Sequence, residues 1–271
     1  MTTCLEQTGR IVWDPAEYAA RSGPQLDWAR ELIARLELRG HERILDVGCG
    51  HGRATAELAA RVPRGFVLGI DNSPEMIAFA RAAFPPAQFP NLRFELMDAR
   101  KLEFSEEFDI VFSNAALHWV DDHPAFLRGA AAALRPGGRL LVACGGKGNA
   151  HDVFLAIRAV IRRAEWRRFF RKMRCPYFLH SADEYKHWLP QFGFEPRKVE
   201  LVEKEIVFAD AAALAGWLRT TWLPYTQRVP EHTREEFIAA VAQQYTTLRP
   251  PDPAGNIRVG MVRLEVDAVK T

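Results

Sequence analysis

The chain has 271 residues, enough for one or two domains, and its composition of 48% hydrophobic and 26% charged residues is that of a globular protein. Its 36 basic and 34 acidic residues leave a formal charge of +2, which gives little support to a nucleic-acid or anionic-membrane partner. Four separated cysteines (Cys4, Cys49, Cys144 and Cys175) indicate neither a disulfide framework nor a zinc site. Since there is no apolar run of about 18–20 residues and no signal-peptide pattern, we expect a cytoplasmic protein with reduced thiols.

Short β-rich runs alternate with helical patterns over residues 43–143, which is typical of βαβ units and a parallel sheet. An apolar stripe at helical spacing predicts a helix ahead of them, at Gln25–Leu38. Pro136-Gly137-Gly138 is predicted to be a turn. The predicted strands are Arg43–Val47, Phe66–Ile70, Leu92–Met97, Phe108–Ser113 and Arg139–Cys144, with helices at Arg53–Val62, Pro74–Phe84 and His123–Leu134.

The region after residue 144 is predicted to combine helices with two further strands. We expect these strands to rejoin the sheet while the helices cover one rim, which gives one α/β domain with a helical cap. The predicted helices are Val153–Met173, Ala182–Pro190, Ala211–Thr221 and Thr233–Tyr245, and the predicted strands are Lys198–Phe208 and Ile257–Val269.

The strongest motif is the segment Arg43–Gly52, where a buried strand leads into a glycine-rich turn that opens a helix. Glycine lets the backbone approach a ligand closely. The spacing is G-x-G-x-G, and Arg53 stands where a dinucleotide fingerprint needs its third glycine. No Gly-Lys-Ser/Thr follows, so a P-loop is excluded.

Three acidic residues follow successive predicted strands or end them. Asp46 precedes the glycine loop, where it would repel a pyrophosphate and attract an ammonium group. Asp71 stands where an acid can accept both ribose hydroxyls, and Asp98 could accept a bond from an exocyclic amine. Together they suit a ligand with an amino acid moiety, a ribose and an adenine. Asp71-Asn72-Ser73-Pro74 would also make an ordinary helix start, and Asp98 could be a solvated loop acid.

Five motifs in the order found here resemble those of the class I S-adenosylmethionine-dependent methyltransferases. They are LDVGCGHG, GIDNSPEMI, LMDA, FDIVFSNAALHWV and LRPGGRLLV. The resemblance implies a Rossmann-like α/β fold with a seven-stranded sheet of order 3-2-1-4-5-7-6, strand 7 antiparallel, plus a helical cap. It divides one domain into an N-terminal helical lid (1–40), a cofactor-binding core (41–145) and a C-terminal cap with the last two strands (146–271). It implies S-adenosyl-L-methionine as cofactor, bound by Asp46, Gly48, Cys49, Gly50, Gly52, Asp71, Asn72, Met76, Asp98, Ala99 and Asn114.

Within that family the sequence most resembles the trans-aconitate methyltransferases. Their pattern is matched by Trp13-Asp14-Pro15 with Tyr18, by His118-Trp119, and by Trp217-Leu218, Leu223-Pro224-Tyr225, Tyr245 and Arg263-Leu264. The resemblance implies a small carboxylate as methyl acceptor. The alternatives are methylation of a hydroxyl, amine or carbon with His118 as base, or a module that binds the cofactor without catalysis.

A carboxylate is ionised at pH 7 and needs no general base, so the expected site residues are hydrogen-bond donors that orient an anion. Family position and placement give four candidate catalytic residues: Tyr18, Gln25, His118 and Trp119. Each has a simpler alternative, because Trp119 could be a core anchor, His118 a solvated histidine, and Tyr18 and Gln25 surface residues of a helix. No residues form a metal cluster, and we expect no metal.

Eight basic residues lie between Arg158 and Arg174, which is typical of a solvated helix face. Trp166, Phe169 and Phe170 interleave with them, a feature of some nucleic-acid sites, but Glu165 interrupts the run and no recognition motif accompanies it. We therefore predict no nucleic-acid partner. A functional use would be an anionic acceptor, or an acidic carrier protein that bears it. We expect a monomer without a membrane partner.

Overall fold

A seven-stranded sheet lies at the centre of the computed structural model, which describes residues 11–21 and 23–271. Its strand order is β3-β2-β1-β4-β5-β7-β6, and β7 is antiparallel to both neighbours, so the predicted fold class is confirmed. The first ten residues of the predicted lid, with Cys4, lie outside the described residues. The strands are β1 Arg43–Val47, β2 Phe66–Asp71, β3 Leu92–Leu96, β4 Phe108–Asn114, β5 Leu134–Gly145, β6 Phe194–Phe208 and β7 Ile257–Lys270.

Helices cover both faces of the sheet and form the cap. The helices that accompany the sheet are α2 Gly23–Ala34, α3 Arg53–Arg61, α4 Pro74–Ala83, α5 His123–Ala133 and α7 Ala182–Gln191. The helices of the cap are α6 His151–Val160, α8 Ala211–Thr221, α9 Leu223–Thr226 and α10 Glu231–Leu248. Helix α1, Pro15–Arg21, lies against α8 of the cap and against α4. Short 3₁₀ helices lie at Leu117–Trp119 and Arg167–Phe170. Among the described helices, none is long and apolar enough to cross a membrane.

The central strands are apolar on both faces because helices pack on each side. Leu45 and Val47 of β1 face the cluster formed with α5 and α7, whereas Ile44 faces α2, α3 and α4. The first five strands are parallel, so their carboxyl ends meet at one edge of the sheet, where open α/β sheets bind ligands.

The cap is anchored on the outer halves of β6 and β7. β5 pairs with β7 only over Arg263–Val269, so the segment Ile257–Val262 of β7 pairs with β6 alone. Ile206 and Phe208 of β6, which pair with this segment, pack with α6, α8 and α10 in a cluster separate from the sheet core. The two late strands thus rejoin the sheet, as predicted, and also carry the cap.

The predicted long helix Val153–Met173 is wrong. Helix α6 ends at Val160, turns follow, and the chain forms a 3₁₀ helix at Arg167–Phe170. The apolar spacing continues across this break because Trp166 and Phe170 both pack against Phe237 of α10. Tertiary packing therefore produced the periodicity that resembled one helix.

Other differences are smaller. Helix α2 ends at Ala34, before the predicted Leu38, and α1, α9 and both 3₁₀ helices were not predicted. The predicted turn at Pro136–Gly138 lies within a bulge of β5, because Phe108 pairs with Leu134 while Ile110 pairs with Arg139. Gly137 there has a φ of 75°, which glycine adopts easily.

Candidate active site

The glycine loop lies at the carboxyl end of β1, fixed to the neighbouring strand. The backbone N–H groups of Gly48 and Cys49 both donate to the carbonyl oxygen of Ile70, at 2.8 and 2.9 Å. Gly50 has a φ of 53°, and a Cβ atom added there would meet no atom within 4 Å. At Gly50 the loop therefore presents bare backbone to open space.

The two glycines on either side, Gly48 and Gly52, are needed because neighbouring side chains pack against their backbone. A Cβ atom on Gly48 would lie 2.1 Å from the Cβ of Ala116, and one on Gly52 would lie 2.7 Å from the ring of Phe94. Both residues have positive φ angles, 78° and 84°. The motif thus combines a position open to a ligand with two positions that the fold itself needs.

Two carboxylates lie beside this loop. Asp46 is buried and accepts a hydrogen bond from the Thr55 hydroxyl at 2.7 Å. Asp71 accepts bonds from the backbone N–H groups of Gly50 and Ser73, both at 2.9 Å. Neither forms a salt bridge with a basic side chain of the described residues.

The electrostatics of this pair favour a cationic ligand. Burial, with the nearby charge of Asp71, raises the pKa of Asp46 to about 7 against the effect of the Thr55 hydrogen bond, and burial also raises the pKa of Asp71. An ammonium group beside these acids would stabilise their ionised forms. The residues at the loop therefore fit the amino acid moiety and ribose of the cofactor expected from the sequence.

The third acid, Asp98, has a protein partner. The guanidinium of Arg100 pairs with both of its oxygens, at 3.0 and 2.6 Å, and also contacts Asp121 at 2.9 Å. The Arg100 hydrogen bonds lower the pKa of Asp98. A ligand amine at Asp98 would therefore share this carboxylate with Arg100. Of the other predicted cofactor residues here, Met76 is buried, Ala99 is half-buried and Asn72 is exposed.

The N-terminal segment covers the loop. The Tyr18 ring of α1 lies 5.6 Å from the ring of His51, and burial together with the charge of Asp71 raises the Tyr18 pKa to about 12. Val12 and the side chain of Gln227 exchange two hydrogen bonds, of 3.1 and 2.5 Å, which tie this segment to the cap. The structure thus brings Tyr18 next to the predicted cofactor residues.

An aromatic cavity of about 750 Å³, partly open to solvent, adjoins this region between the sheet edge, α2 and the cap. All four predicted catalytic residues line it. Its remaining wall is largely aromatic, from Trp13, Trp28, Phe154, Tyr177, Trp217 and Trp222. The figure includes solvent space at the open mouth of the cavity.

His118 and Trp119 enter the cavity from the 3₁₀ helix that follows β4. The backbone N–H of Gly145 donates to Nδ1 of His118 at 3.3 Å, so the ring proton is on Nε2. Burial, together with the nearby ring of His123, lowers the pKa of His118 to about 4. The imidazole is thus neutral at pH 7. The Trp119 ring packs against Trp13 and Tyr177, with centroids at 5.5 and 4.8 Å.

Arg263 lines the cavity but was not predicted as a site residue from the sequence. It entered the sequence analysis only as part of the resemblance to the trans-aconitate methyltransferases. It is 5% exposed, its guanidinium lies 5.1 Å from the Trp28 ring centroid, and it donates a 2.9 Å hydrogen bond to Asn114. Asn114 in turn donates to the backbone oxygen of Gln25. The strand pattern carries no signal for this role, because alternation of charged and apolar residues predicts that the charged side chains face solvent.

The basic stretch between Arg158 and Arg174 lies away from the lining of this cavity. Its eight basic side chains are exposed, but the chain there is not one helix face. The interleaved Trp166 and Phe170 are buried against α10, so their rings are not available to stack on bases. In the described parts of the chain, no group of three or more His, Cys, Asp or Glu side chains could hold a metal ion.

Comparison with known proteins identifies the family. A family profile described as a methyltransferase domain matches residues 44–138. A trans-aconitate 2-methyltransferase of Methylobacterium radiotolerans is 32% identical over 95% of this chain and 98% of its own length, and that of Variovorax paradoxus is 30% identical over 95% and 98%. That of Deinococcus radiodurans is 45% identical over 49% of each chain.

Solved structures share the fold. The YcgJ protein of Bacillus subtilis superposes with a TM-score of 0.61 at 17% identity, over 89% of this chain and 97% of its own. A phosphoethanolamine N-methyltransferase of Haemonchus contortus in complex with S-adenosyl-L-methionine has a TM-score of 0.61 at 16% identity, over 94% of this chain and 56% of its own. Together with the loop and its acids, these matches show that the chain belongs to the class I methyltransferases, is similar to the trans-aconitate 2-methyltransferases, and uses S-adenosylmethionine as its cofactor.

Proposed function

We propose that this methyltransferase transfers the methyl group to a carboxylate oxygen of a small anionic acid. The observation that carries the proposal is the buried, positively charged Arg263 in the wall of the aromatic cavity. Relatives named trans-aconitate 2-methyltransferases point to the same substrate class.

The carboxylates near Arg263 are shared with other cations, and Glu31, whose charge also acts on it, pairs with Lys204 at 2.6 Å. On the inward face of β7, the carboxylate of Glu265 is 2.7 Å from Arg35 and that of Asp267 is 2.7 Å from Arg139. Arg263 is 3.9 Å from Glu265, and its hydrogen bond to the neutral Asn114 is the only one it donates within the described residues. Three guanidinium groups thus share two carboxylates in this row.

A guanidinium has five N–H donors and stays charged even when buried. Burial lowers the pKa of Arg263, the direction expected for a cation that pays a desolvation penalty. An acidic ligand in the cavity would relieve that penalty through charge-assisted hydrogen bonds. An ionised acid therefore fits this cavity better than a neutral phenol or an amine cation.

His118 is poorly suited to act as a base for a hydroxyl acceptor. Its Nδ1 accepts the Gly145 N–H, its Nε2 holds the proton, and its pKa is about 4. A general base works best with a pKa near the working pH. A carboxylate acceptor needs no such base, because it is ionised above about pH 5.

When bound, S-adenosylmethionine supplies an electrophilic methyl group on a sulfonium. We assign its binding to the glycine loop and to the residues predicted from the sequence, with Asp46 and Asp71 as the acids nearest the loop. Trp119 and Gln25 orient the acceptor, and Tyr18 with the N-terminal segment excludes water. Gln25 would donate to the acceptor through its side-chain NH₂ group, since its side-chain oxygen can only accept hydrogen bonds.

The test is formation of S-adenosylhomocysteine from S-adenosylmethionine with a panel of acids, phenols and amines that includes trans-aconitate. We expect turnover of acids only, with a base-labile methyl ester as product. Arg263→Gln should lower kcat/KM for the acid by roughly ten- to a hundredfold, the cost of a hydrogen bond to a charged group.

Arg258→Gln is the matched control, since Arg258 lies on the same strand with its side chain exposed and paired to Glu205. Calorimetric cofactor affinity and thermal unfolding show whether each variant is folded. Turnover of phenols or amines with the acids inert would overturn the proposal, as would an Arg263→Gln variant as active as Arg258→Gln.

A further inference from the structure

A tryptophan in the cavity wall has a buried indole N–H without a partner in the described part of the chain. Trp217 lies in α8, is 4% exposed and lines the aromatic cavity. Its Nε1 atom has no hydrogen-bond partner within the part of the chain that the structure describes. Indole nitrogen is a donor only, and a buried Trp N–H usually finds an acceptor. Such a donor in a ligand cavity is satisfied by an oxygen of the ligand.

The ring is held in place, so the donor has a fixed direction. The Trp217 ring packs against Phe208 of β6 with centroids at 5.5 Å, and against Trp222 at 5.9 Å. The backbone is also fixed, because the Thr221 hydroxyl donates to the Trp217 carbonyl at 2.6 Å. A donor that cannot turn away discriminates between ligands that offer an acceptor and those that do not.

Trp217 lies several rings away from the predicted catalytic pair. Ring contacts lead from Trp119 to Tyr177 at 4.8 Å, from Tyr177 to Trp222 at 5.4 Å, and from Trp222 to Trp217 at 5.9 Å. Among the polar groups of the wall near the cap, the Asn149 side-chain oxygen accepts from the backbone N–H of Val262 at 3.0 Å, and the Tyr177 hydroxyl donates to the backbone oxygen of Thr221 at 3.2 Å. Because Trp217 does not contact Trp119 directly, an acceptor whose reacting carboxylate lies at Trp119 would present a different part of the molecule to Trp217.

We propose that Trp217 is a specificity-determining residue whose indole N–H donates a hydrogen bond to a remote oxygen of the acceptor. The substrate class is then an acid that carries, besides the methylated carboxylate, a second oxygen atom at its far end that accepts a hydrogen bond. This oxygen belongs to another carboxylate, a carbonyl or a hydroxyl. This inference rests on the proposed carboxylate methylation and adds a requirement that Arg263 alone does not impose.

The test compares wild type with Trp217→Phe, which keeps an aromatic ring and removes the N–H. The matched control is Trp166→Phe, because Trp166 is a buried cap tryptophan that packs on Phe237 and does not line the cavity. The probes are trans-aconitate and (E)-pent-2-enoate, which keeps a five-carbon unsaturated chain and one carboxylate but ends in a methyl group.

For trans-aconitate we expect Trp217→Phe to raise KM by about tenfold or more with a smaller change in kcat, and Trp166→Phe to match wild type. For (E)-pent-2-enoate, kcat/KM should be low in wild type and should not fall further in Trp217→Phe. A KM for trans-aconitate within twofold of wild type, or an equal loss on both acids, would overturn the proposal, since an equal loss reports on packing.

A second measurement does not depend on turnover. With ¹⁵N-labelled indoles and S-adenosylhomocysteine present, the Trp217 N–H resonance, assigned by its absence in Trp217→Phe, should shift downfield on addition of trans-aconitate. If the resonance does not shift at saturating trans-aconitate although the enzyme turns the acid over, the inference about Trp217 is overturned and the proposed function stands. Wild type inert towards every acid removes the proposed function and this inference with it.

Discussion

His118→Asn is expected to leave methyl transfer nearly unchanged if the acceptor is a carboxylate. The pKa of about 4 leaves the imidazole neutral at pH 7, and its Nδ1 already accepts the Gly145 N–H at 3.3 Å. An asparagine amide oxygen can accept the same bond. We therefore expect a rate within about threefold of wild type, whereas loss of a general base costs roughly 10²–10⁴-fold.

The lowered pKa of His118 determines how the rate of methyl transfer should depend on pH. A carboxylate acceptor is ionised above about pH 5, so the rate should be flat from about pH 6 to 9. A histidine base of ordinary pKa, about 6.5, would give a rate that falls with decreasing pH in this window. With its pKa lowered to about 4, His118 would be neutral throughout the window and would also give a flat profile. The substitution, and not the profile, therefore separates the two mechanisms.

The assay is rapid-quench single-turnover transfer of a labelled methyl group with enzyme in excess, between pH 5 and 9. Trp119→Phe is the companion variant and should lose more than His118→Asn, because it deletes an N–H donor at the cavity while keeping an aromatic ring. Calorimetry with S-adenosylmethionine checks that both variants bind the cofactor. A loss of a hundredfold or more in His118→Asn, with cofactor binding intact, would refute the carboxylate mechanism and favour a hydroxyl acceptor.

Three further predictions concern the loop and the basic stretch. Asp71→Ala should weaken cofactor binding by about 1.5–3 kcal/mol, measured by calorimetry on a variant whose thermal unfolding shows that it is folded, and unchanged affinity would contradict this. Gly50→Val should abolish cofactor binding with a modest loss of stability, because its Cβ meets no protein atom. Gly52→Val should lower Tm strongly, because its Cβ would lie 2.7 Å from Phe94. Equal losses of Tm in the two variants would contradict the assignment of Gly50 to the ligand and of Gly52 to packing. The stretch Arg158–Arg174 should bind neither RNA nor DNA at physiological salt, and tight, salt-dependent anisotropy changes would show otherwise.

The sheet and the glycine loop were predictable because their signals are local. Apolar runs of strand length, turn residues between them and an acid at a strand end are read within about ten residues. Parallel topology then places the ends of β1 and β2 together, so Asp71 reaches the Gly50 N–H at 2.9 Å, as their positions at strand ends suggested. The placement of His118 and Trp119 beside the loop follows from the same rule.

Only the tertiary structure decided the acceptor side. Arg263 and Asn114 are 149 residues apart and meet because β7 inserts between β5 and β6, a pairing that no local pattern encodes. Trp217 entered the sequence analysis only as part of a family resemblance, and its indole N–H is buried without a partner because α8 packs against the end of β6. Helical periodicity also failed where Trp166 and Phe170 follow the surface of α10. Local propensity determines the strands and the loop, but burial of a charge or a donor depends on which distant segments surround it.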